Sequence, residues 1–234
     1  MISRHLLWHR GSNDKLVSWT SSLLYALVYV FHLHAYRKNG SAFGDTYLCV
    51  VDTSSLLEGV FVRGMDLVEA YQSFDDSLRG LGNLRRRKHR ISSGYFYFGE
   101  YLSQGALKIE GSCQIVSSRD IIDRGLRDIR PEFAEFEEWK PQQSPPWENT
   151  TIELREAVYS TPWERQGIGT EGLKVALEIS DLFGPQWKLP MTASFVALAP
   201  LRGDMRDILL VFRPPIFEGQ SDLGQVISQA RDDR

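Results

Sequence analysis

Residues 16–33 contain no formally charged side chain, and this stretch constrains the fold more than any other feature of the sequence. Residues 23–31 within it are continuously apolar, so a helix there presents apolar side chains on every face and has to be buried. A membrane-spanning helix requires roughly 20 predominantly apolar residues. The apolar stretch is shorter than that, and His32 and His34 follow it. The pattern therefore predicts a buried helix, residues 23–36, in the core of a globular domain.

The composition narrows the class of protein. The chain has 234 residues, of which 42% are hydrophobic and 24% charged, so it is long and apolar enough to bury a core. Its net charge of −3 gives no general attraction to nucleic acid or to a membrane. No basic N-terminal region precedes an apolar stretch with a cleavage site, which predicts an intracellular protein, cytoplasmic or nuclear. Cys49 and Cys113 lie in apolar runs, and two cysteines are too few for a zinc site or a disulfide framework.

The pattern of apolar runs and turn residues predicts an α+β fold with a mixed or antiparallel sheet flanked by helices. The predicted strands are residues 6–9, 17–19, 47–51, 107–109, 113–116, 191–201 and 208–212, with 107–109 and 113–116 forming a hairpin. The predicted helices are residues 23–36, 64–71, 119–129, 152–159 and 172–183. Prolines and glutamines at 136–150 predict a linker between an α+β domain at 1–135 and a mainly helical part at 151–234 that packs on it.

Three groups of residues in the first hundred positions suggest a nucleotide site. His9 and Arg10 leave the first predicted strand, a hydroxyl cluster at 18–22 opens the buried helix, and Glu100 precedes a further extended run. A serine at 21 or 22 is expected to cap the helix, because its oxygen accepts from an otherwise unpaired backbone N–H. The order of a cation, hydroxyl groups and a carboxylate indicates a site for NAD or a related nucleotide.

Two resemblances rest on these residues. The runs SWTSSLLYAL at 18–27 and FGEYLSQGAL at 98–107, with RPEF at 130–133, resemble a fungal domain family of unknown function over most of residues 5–135. More distantly, the chain resembles the ADP-ribosyltransferase fold. That family carries an arginine or histidine on its first strand, a Ser-x-Ser or Ser-x-Thr step before a helix, and a glutamate at the start of a later strand. Arg10 or His9, Ser18 with Thr20, and Glu100 occur in that order.

The second resemblance implies that NAD is bound as a substrate and that its nicotinamide–ribose bond is cleaved. Arg10 would bind the phosphates through charge-assisted, forked hydrogen bonds, and Ser18 and Thr20 would position the ribose. Glu100 would stabilise the oxocarbenium character that develops on the sugar. Aromatic side chains would stack on the nicotinamide, and the candidates are Trp19, Tyr97 and Tyr101.

The acceptor and the activity itself remain open at the level of sequence. Phe98 stands where arginine-modifying transferases carry a second acidic or amide residue, so NAD hydrolysis or another acceptor, such as a protein, is favoured. Structural roles are the alternative: Arg10 paired with Asp14, the hydroxyl cluster acting only as a helix cap, and Glu100 at an exposed strand edge. The rival function is a non-catalytic protein-interaction module on a degenerate fold.

The basic run at 85–90 is the strongest local charge feature. We interpret it as a solvated loop, with phosphate contact, nuclear import or docking of a substrate as alternatives. It is a single basic cluster without a recognised nucleic-acid module around it, so nucleic-acid binding is not predicted. The five histidines lack the spacing of metal ligands, and no metal site is predicted.

Overall fold

The computed structural model describes residues 2–7, 9, 14–35, 40–87, 95–138, 147–160 and 170–199. These residues form an α+β structure of helices and two small antiparallel sheets. The strands are β1 (Leu16–Thr20), β2 (Tyr47–Val51), β3 (Val62–Arg63), β4 (Glu100–Gln104) and β5 (Cys113–Ser117). The helices are α1 (Ile2–Leu6), α2 (Leu23–Ala35), α3 (Gly64–Tyr71), α4 (Asp76–Arg85), α5 (Ser118–Asp123), α6 (Leu126–Ile129), α7 (Trp147–Ser160), α8 (Thr170–Ser180) and α9 (Pro185–Val196). Short 3₁₀ segments lie at Phe43–Asp45, Thr53–Ser55, Pro131–Glu138 and Asp181–Phe183.

The pairing of β5 differs from the one that the sequence predicts. In the first sheet the strand order is β1-β4-β3, with Ser18 opposite Leu102 and Thr20 opposite Glu100. In the second sheet β2 pairs with β5, and Cys49 lies opposite Ile115. The predicted hairpin is therefore wrong, because β5 pairs with β2 and residues 107–109 form no strand.

The helix α2 is buried as its sequence predicts. Ser22 Oγ accepts a hydrogen bond from the Tyr25 backbone N–H at 3.2 Å, which confirms the predicted serine cap. Leu27, Val28 and Phe31 are at most 2% exposed. The helix packs against α7 and shares one hydrophobic core with β2, β5 and helices α5 to α9.

A buried arginine connects the chain on either side of residues 139–146. Arg130 is 2% exposed, and its guanidinium donates to the backbone carbonyl oxygens of Leu154 in α7 and Leu198 after α9. It also pairs with Glu132, whose Oε2 lies 3.3 Å from its Nε. Burial lowers the pKa of Arg130, and the charge of Glu132 opposes that shift.

Two further strand predictions are wrong. Residues 2–6 form α1, and Leu7 lies in a turn, because Ile2, Leu6 and Leu7 pack as a helical face against the cluster of α3 and α4. Most of residues 191–201 belong to α9 instead of a strand. The buried positions 191, 192, 195 and 196 have helical spacing, and Pro185 occupies the first turn, where a proline fits a helix.

The predicted linker at 136–150 is described only in part. Glu138 ends a 3₁₀ segment and α7 begins at Trp147, while residues 139–146, the predicted strand at 208–212 and the rest of the chain after 199 lie outside the described residues. Within the described ranges, no helix combines the length and the apolarity needed to cross a membrane.

Candidate functional site

A cleft lies between the free edge of β1 and the strand β2, with α2 as its third wall. It contains two cavities of about 460 and 700 Å³, both within the range of about 300–1,000 Å³ typical of ligand pockets. The cavities share Ser18, Trp19, Thr20, Ala26 and Leu48, so they adjoin each other along β1. The first cavity extends towards α1, α3 and α4, and the second extends towards the loop after β2 and towards α9.

The alternation of side chains on β1 separates the predicted site residues into two groups. Ser18 and Thr20 share one face of the first sheet with Glu100, because Thr20 lies directly opposite Glu100. Trp19 and Tyr101 lie opposite each other on the other face. The Trp19 indole N–H donates to Ser103 Oγ at 2.9 Å, and its ring packs edge-on against Phe61.

Glu100 is held by two contacts and is 16% exposed. Its Oε2 accepts from the Phe98 backbone N–H at 3.0 Å, and its Oε1 lies 2.8 Å from Arg85 Nη2. Arg85 is 15% exposed and also donates from Nη1 to the Phe96 carbonyl oxygen at 3.1 Å. The carboxylate is therefore ion-paired inside the first cavity, which rules out the exposed strand edge as its position.

The turn before Glu100 is fixed by β1. Thr20 Oγ1 donates to the Phe98 carbonyl oxygen at 2.6 Å, and the Ser21 backbone N–H donates to the Gly99 carbonyl oxygen at 2.9 Å. Gly99 has a φ of +66°, and a Cβ on it would collide with the Ser21 hydroxyl. The hydroxyl of Thr20 thus holds the turn that carries Glu100, whereas the sequence predicts that this hydroxyl positions the ribose.

Tyr25 contributes a buried hydroxyl to the same cavity. Its ring stacks on Phe98 with 4.4 Å between centroids. Burial raises the pKa of Tyr25 well above its usual range, and the negative charge of Glu100 raises it further, while Arg85 opposes the shift. Tyr25 therefore remains protonated over the whole range in which the protein is expected to work.

Ser18 is hydrogen-bonded to His5, which the sequence does not indicate as a site residue. Ser18 Oγ lies 2.8 Å from His5 Nε2, and His5 Nδ1 lies 2.6 Å from Asp14 Oδ2. His5 and Ser18 both line the first cavity. Asp14 Oδ1 in turn accepts from the Leu16 backbone N–H at 3.0 Å, so the carboxylate is held at both oxygens.

The structure brings together most of the predicted site, while His9 lies apart from it. Ser18, Trp19, Thr20, Tyr97 and Glu100 line the first cavity, and Tyr101 lines the second. His9 is exposed and lines neither cavity. Arg10 lies outside the described residues, and so does Trp8 within the predicted first strand.

Arg85 corrects the interpretation of the basic run as a solvated loop. Arg85 is the last residue of α4 and points into the cleft, and only Arg86 and Arg87 of the described part of the run are exposed. Asp75 caps α4 by accepting from the backbone N–H groups of Ser77 and Leu78. The capping aspartate followed by Leu78 and Leu81 is a helix signal that could have revealed this element.

The comparisons with known proteins assign no function to this chain, so the functional argument rests on the geometry of the cleft. The chain matches no protein-family model, and neither a curated protein nor a solved structure matches it. Among the described residues, no group of three or more histidine, cysteine, aspartate or glutamate side chains is arranged to hold a metal ion.

Proposed function

We propose that the cleft binds NAD and that the protein cleaves its nicotinamide–ribose bond, as an ADP-ribosyltransferase-like enzyme. The ADP-ribose would pass to a protein acceptor or to water. The observation that carries this proposal is Glu100: a carboxylate held by Arg85 and by the Phe98 amide, inside a cavity lined by aromatic and hydroxyl side chains.

Cleavage of the nicotinamide–ribose bond develops positive charge on the ribose, so a negative charge has to be in position before the bond breaks. A carboxylate oriented by hydrogen bonds and shielded from water stabilises an oxocarbenium-like transition state without reorganisation of its surroundings. Glu100 meets this requirement because Phe98 N–H fixes Oε2 and Arg85 pairs with Oε1. Tyr25, protonated at all relevant pH values, lines the same cavity.

Arg85 also supplies a guanidinium to a site that needs one for phosphate. It lines the first cavity, and guanidinium groups form forked hydrogen bonds with phosphate oxygens. In the proposal, Arg85 stays paired with Glu100 and binds the NAD pyrophosphate through its remaining N–H groups, so that the carboxylate keeps its orientation towards the ribose.

The size and lining of the cleft support a ligand with two halves. The two cavities adjoin along β1, with Trp19 on the wall of both, Tyr97 in the first and Tyr101 in the second. An aromatic ring in each cavity offers a stacking surface for the nicotinamide at one end and the adenine at the other.

The test combines binding and turnover on purified protein. NAD at a hundred times its dissociation constant should stabilise the folded state by about 2.7 kcal/mol, which thermal unfolding detects. Glu100→Gln should still fold and bind NAD but release no nicotinamide, as measured by chromatography. Glu110→Gln, at an exposed turn position, is the matched control and should behave as wild type.

The outcomes discriminate between the two functions considered. A shift with turnover that Glu100→Gln abolishes supports the enzyme. Turnover undiminished in Glu100→Gln removes Glu100 from the mechanism. No stabilisation of wild type by NAD contradicts the proposal and favours the non-catalytic interaction module.

A further inference from the structure

Asp14, His5 and Ser18 form a continuous hydrogen-bonded chain at the first cavity. The distances are 2.6 Å from Asp14 Oδ2 to His5 Nδ1 and 2.8 Å from His5 Nε2 to Ser18 Oγ. The side chains of His5 and Asp14 are 14% and 27% exposed. The imidazole is thus largely covered, while the serine is exposed and accessible to a ligand.

The carboxylate determines which way the protons point. Its bonds to the Leu16 backbone N–H and to His5 lower the pKa of Asp14, so the group is ionised and can only accept hydrogen bonds. His5 Nδ1 must therefore carry a proton. In the neutral imidazole Nε2 then has the free lone pair, and Ser18 Oγ–H donates to it. This is the arrangement in which an imidazole takes the proton of a serine that attacks a carbonyl carbon.

The strand leaves the Ser18 backbone N–H free of the sheet. Gly105 N donates to Lys15 O and Ser21 N donates to Gly99 O, which fixes the hydrogen-bonded pairs of β1 and β4 at odd-numbered positions of β1. Because such pairs alternate in antiparallel sheets, the N–H of Ser18 points away from β4, towards the edge of β1 that pairs with no strand among the described residues. The proposed nucleophile therefore carries a backbone donor that β4 does not use, and such a donor could stabilise an oxyanion.

From this geometry we propose that Ser18 is a nucleophile that accepts acyl groups from esters with a short, uncharged acyl chain. The class of substrate follows from the first cavity, whose wall includes the apolar side chains of Leu6, Val30, Leu33, Met65, Val68 and Leu81. Arg85 and Glu100 neutralise each other in the same cavity, so the lining offers no net charge to a charged chain.

The reaction needs only the ester and water. Ser18 Oγ forms a bond to the carbonyl carbon, and its proton passes to His5 Nε2. The bond to the leaving alcohol then breaks, and His5 returns the proton to that alcohol. Water, deprotonated by His5, attacks the acyl-serine, and the carboxylic acid departs as the proton returns to Ser18 Oγ.

The experiment uses a fluorophosphonate probe, which forms a covalent adduct with activated serines, followed by intact-mass and peptide mass spectrometry. Wild type should gain one adduct, located on Ser18. Ser18→Ala should gain none there, and His5→Ala should react at least about 100-fold more slowly. Asp14→Asn should also slow the reaction, since the positioning of His5 would be lost. Ser54→Ala is the matched control, because the exposed Ser54 hydroxyl donates to Asp52 Oδ1 and lines neither cavity, and this variant should react at the wild-type rate.

A second measurement addresses the substrate class. Wild type should hydrolyse p-nitrophenyl butyrate, Ser18→Ala should not, and a succinate half-ester of the same phenol should react more slowly than the butyrate. Folded wild type that takes up no probe, or that takes it up equally at other serines, overturns the proposal. No NAD is present in either assay, so failure of NAD binding and failure of serine reactivity are separate results.

Discussion

Arg85 and Glu100 form an ion pair across the cleft, with 2.8 Å between Nη2 and Oε1 and with both side chains about six-sevenths covered, at 15% and 16% exposure. They come from two consecutive elements, the last turn of α4 and the first residue of β4. The pair therefore couples the position of α4 to the shape of the candidate site. We expect substitutions of Arg85 and of Glu100 to differ in their effects on the free energy of unfolding and on activity.

Removal of Arg85 alone is expected to destabilise the fold. In Arg85→Met the carboxylate of Glu100 is left buried without its partner, and breaking one side of a buried pair removes about 3 kcal/mol or more from the free energy of unfolding. Urea unfolding at neutral pH measures this. Arg86→Met is the neighbouring control, because Arg86 pairs with Glu69 at the surface and such pairs contribute less than about 1 kcal/mol. Equal losses in both variants would contradict the role assigned to the cleft pair.

Gly99 is predicted to be more sensitive to an added side chain than Gly59. Its positive φ costs an L-residue about 1–2 kcal/mol, and a Cβ would in addition collide with Ser21 Oγ. Gly99→Ala should therefore lower the free energy of unfolding by more than Gly59→Ala, where φ is +84° but the space is open. Adding Ser21→Ala should restore part of the loss in the Gly99 variant. A double-mutant cycle measures this coupling, and a coupling energy of zero would show that the collision is relieved by other means.

The parts of the fold that could be predicted are those determined by local sequence. The apolar run predicts the buried helix, which the structure describes from Leu23 to Ala35, and the helix at Gly64–Tyr71 and the strand at Tyr47–Val51 were predicted correctly. Strand pairing could not be predicted, because whether β5 pairs with its neighbour in sequence or with β2 depends on packing far along the chain. The same limit applies to residues 191–196, because a short run rich in apolar residues is compatible with a buried helix and with a buried strand.

The sequence predicts the carboxylate and the hydroxyl groups of the candidate site, but it does not predict His5 and Arg85, which bind them. Glu100 and Thr20 were selected as neighbours of one ligand, and the register places them directly opposite each other. His5 carried no signal, because a single histidine in a short N-terminal segment has no pattern that indicates a role. Arg85 was hidden within a basic run whose other described members face solvent. The side chains that hold a reactive group come from elements whose packing the sequence does not reveal.

Asp75 is expected to make the stability of α4 depend on pH. A side-chain hydrogen bond with Ser3 and backbone bonds from Leu78 and Ser77 lower the pKa of Asp75. A lowered folded-state pKa means that the stabilisation is present above the unfolded value of about 3.9 and is lost as the pH falls through the folded value. Asp75→Asn keeps a capping oxygen but cannot titrate. The urea midpoint of wild type should thus exceed that of Asp75→Asn at pH 7, and the difference should shrink towards pH 3. A difference independent of pH would contradict the assignment.

Arg130 is predicted to hold α7 and the end of α9 to the rest of the core. Arg130→Met fits the buried volume but removes the guanidinium donor from the carbonyl oxygens of Leu154 and Leu198, and hydrogen bonds to a charged group contribute about 1.5–3 kcal/mol each. We expect a loss of several kcal/mol in the free energy of unfolding, with faster amide hydrogen exchange in α7 and α9 than in β1 and β4. Arg124→Met is the control, since Arg124 donates to the Glu178 carbonyl oxygen at the surface, where water can replace it. If exchange in Arg130→Met increased equally in all elements, the arginine would support the core as a whole and not the attachment of these two helices.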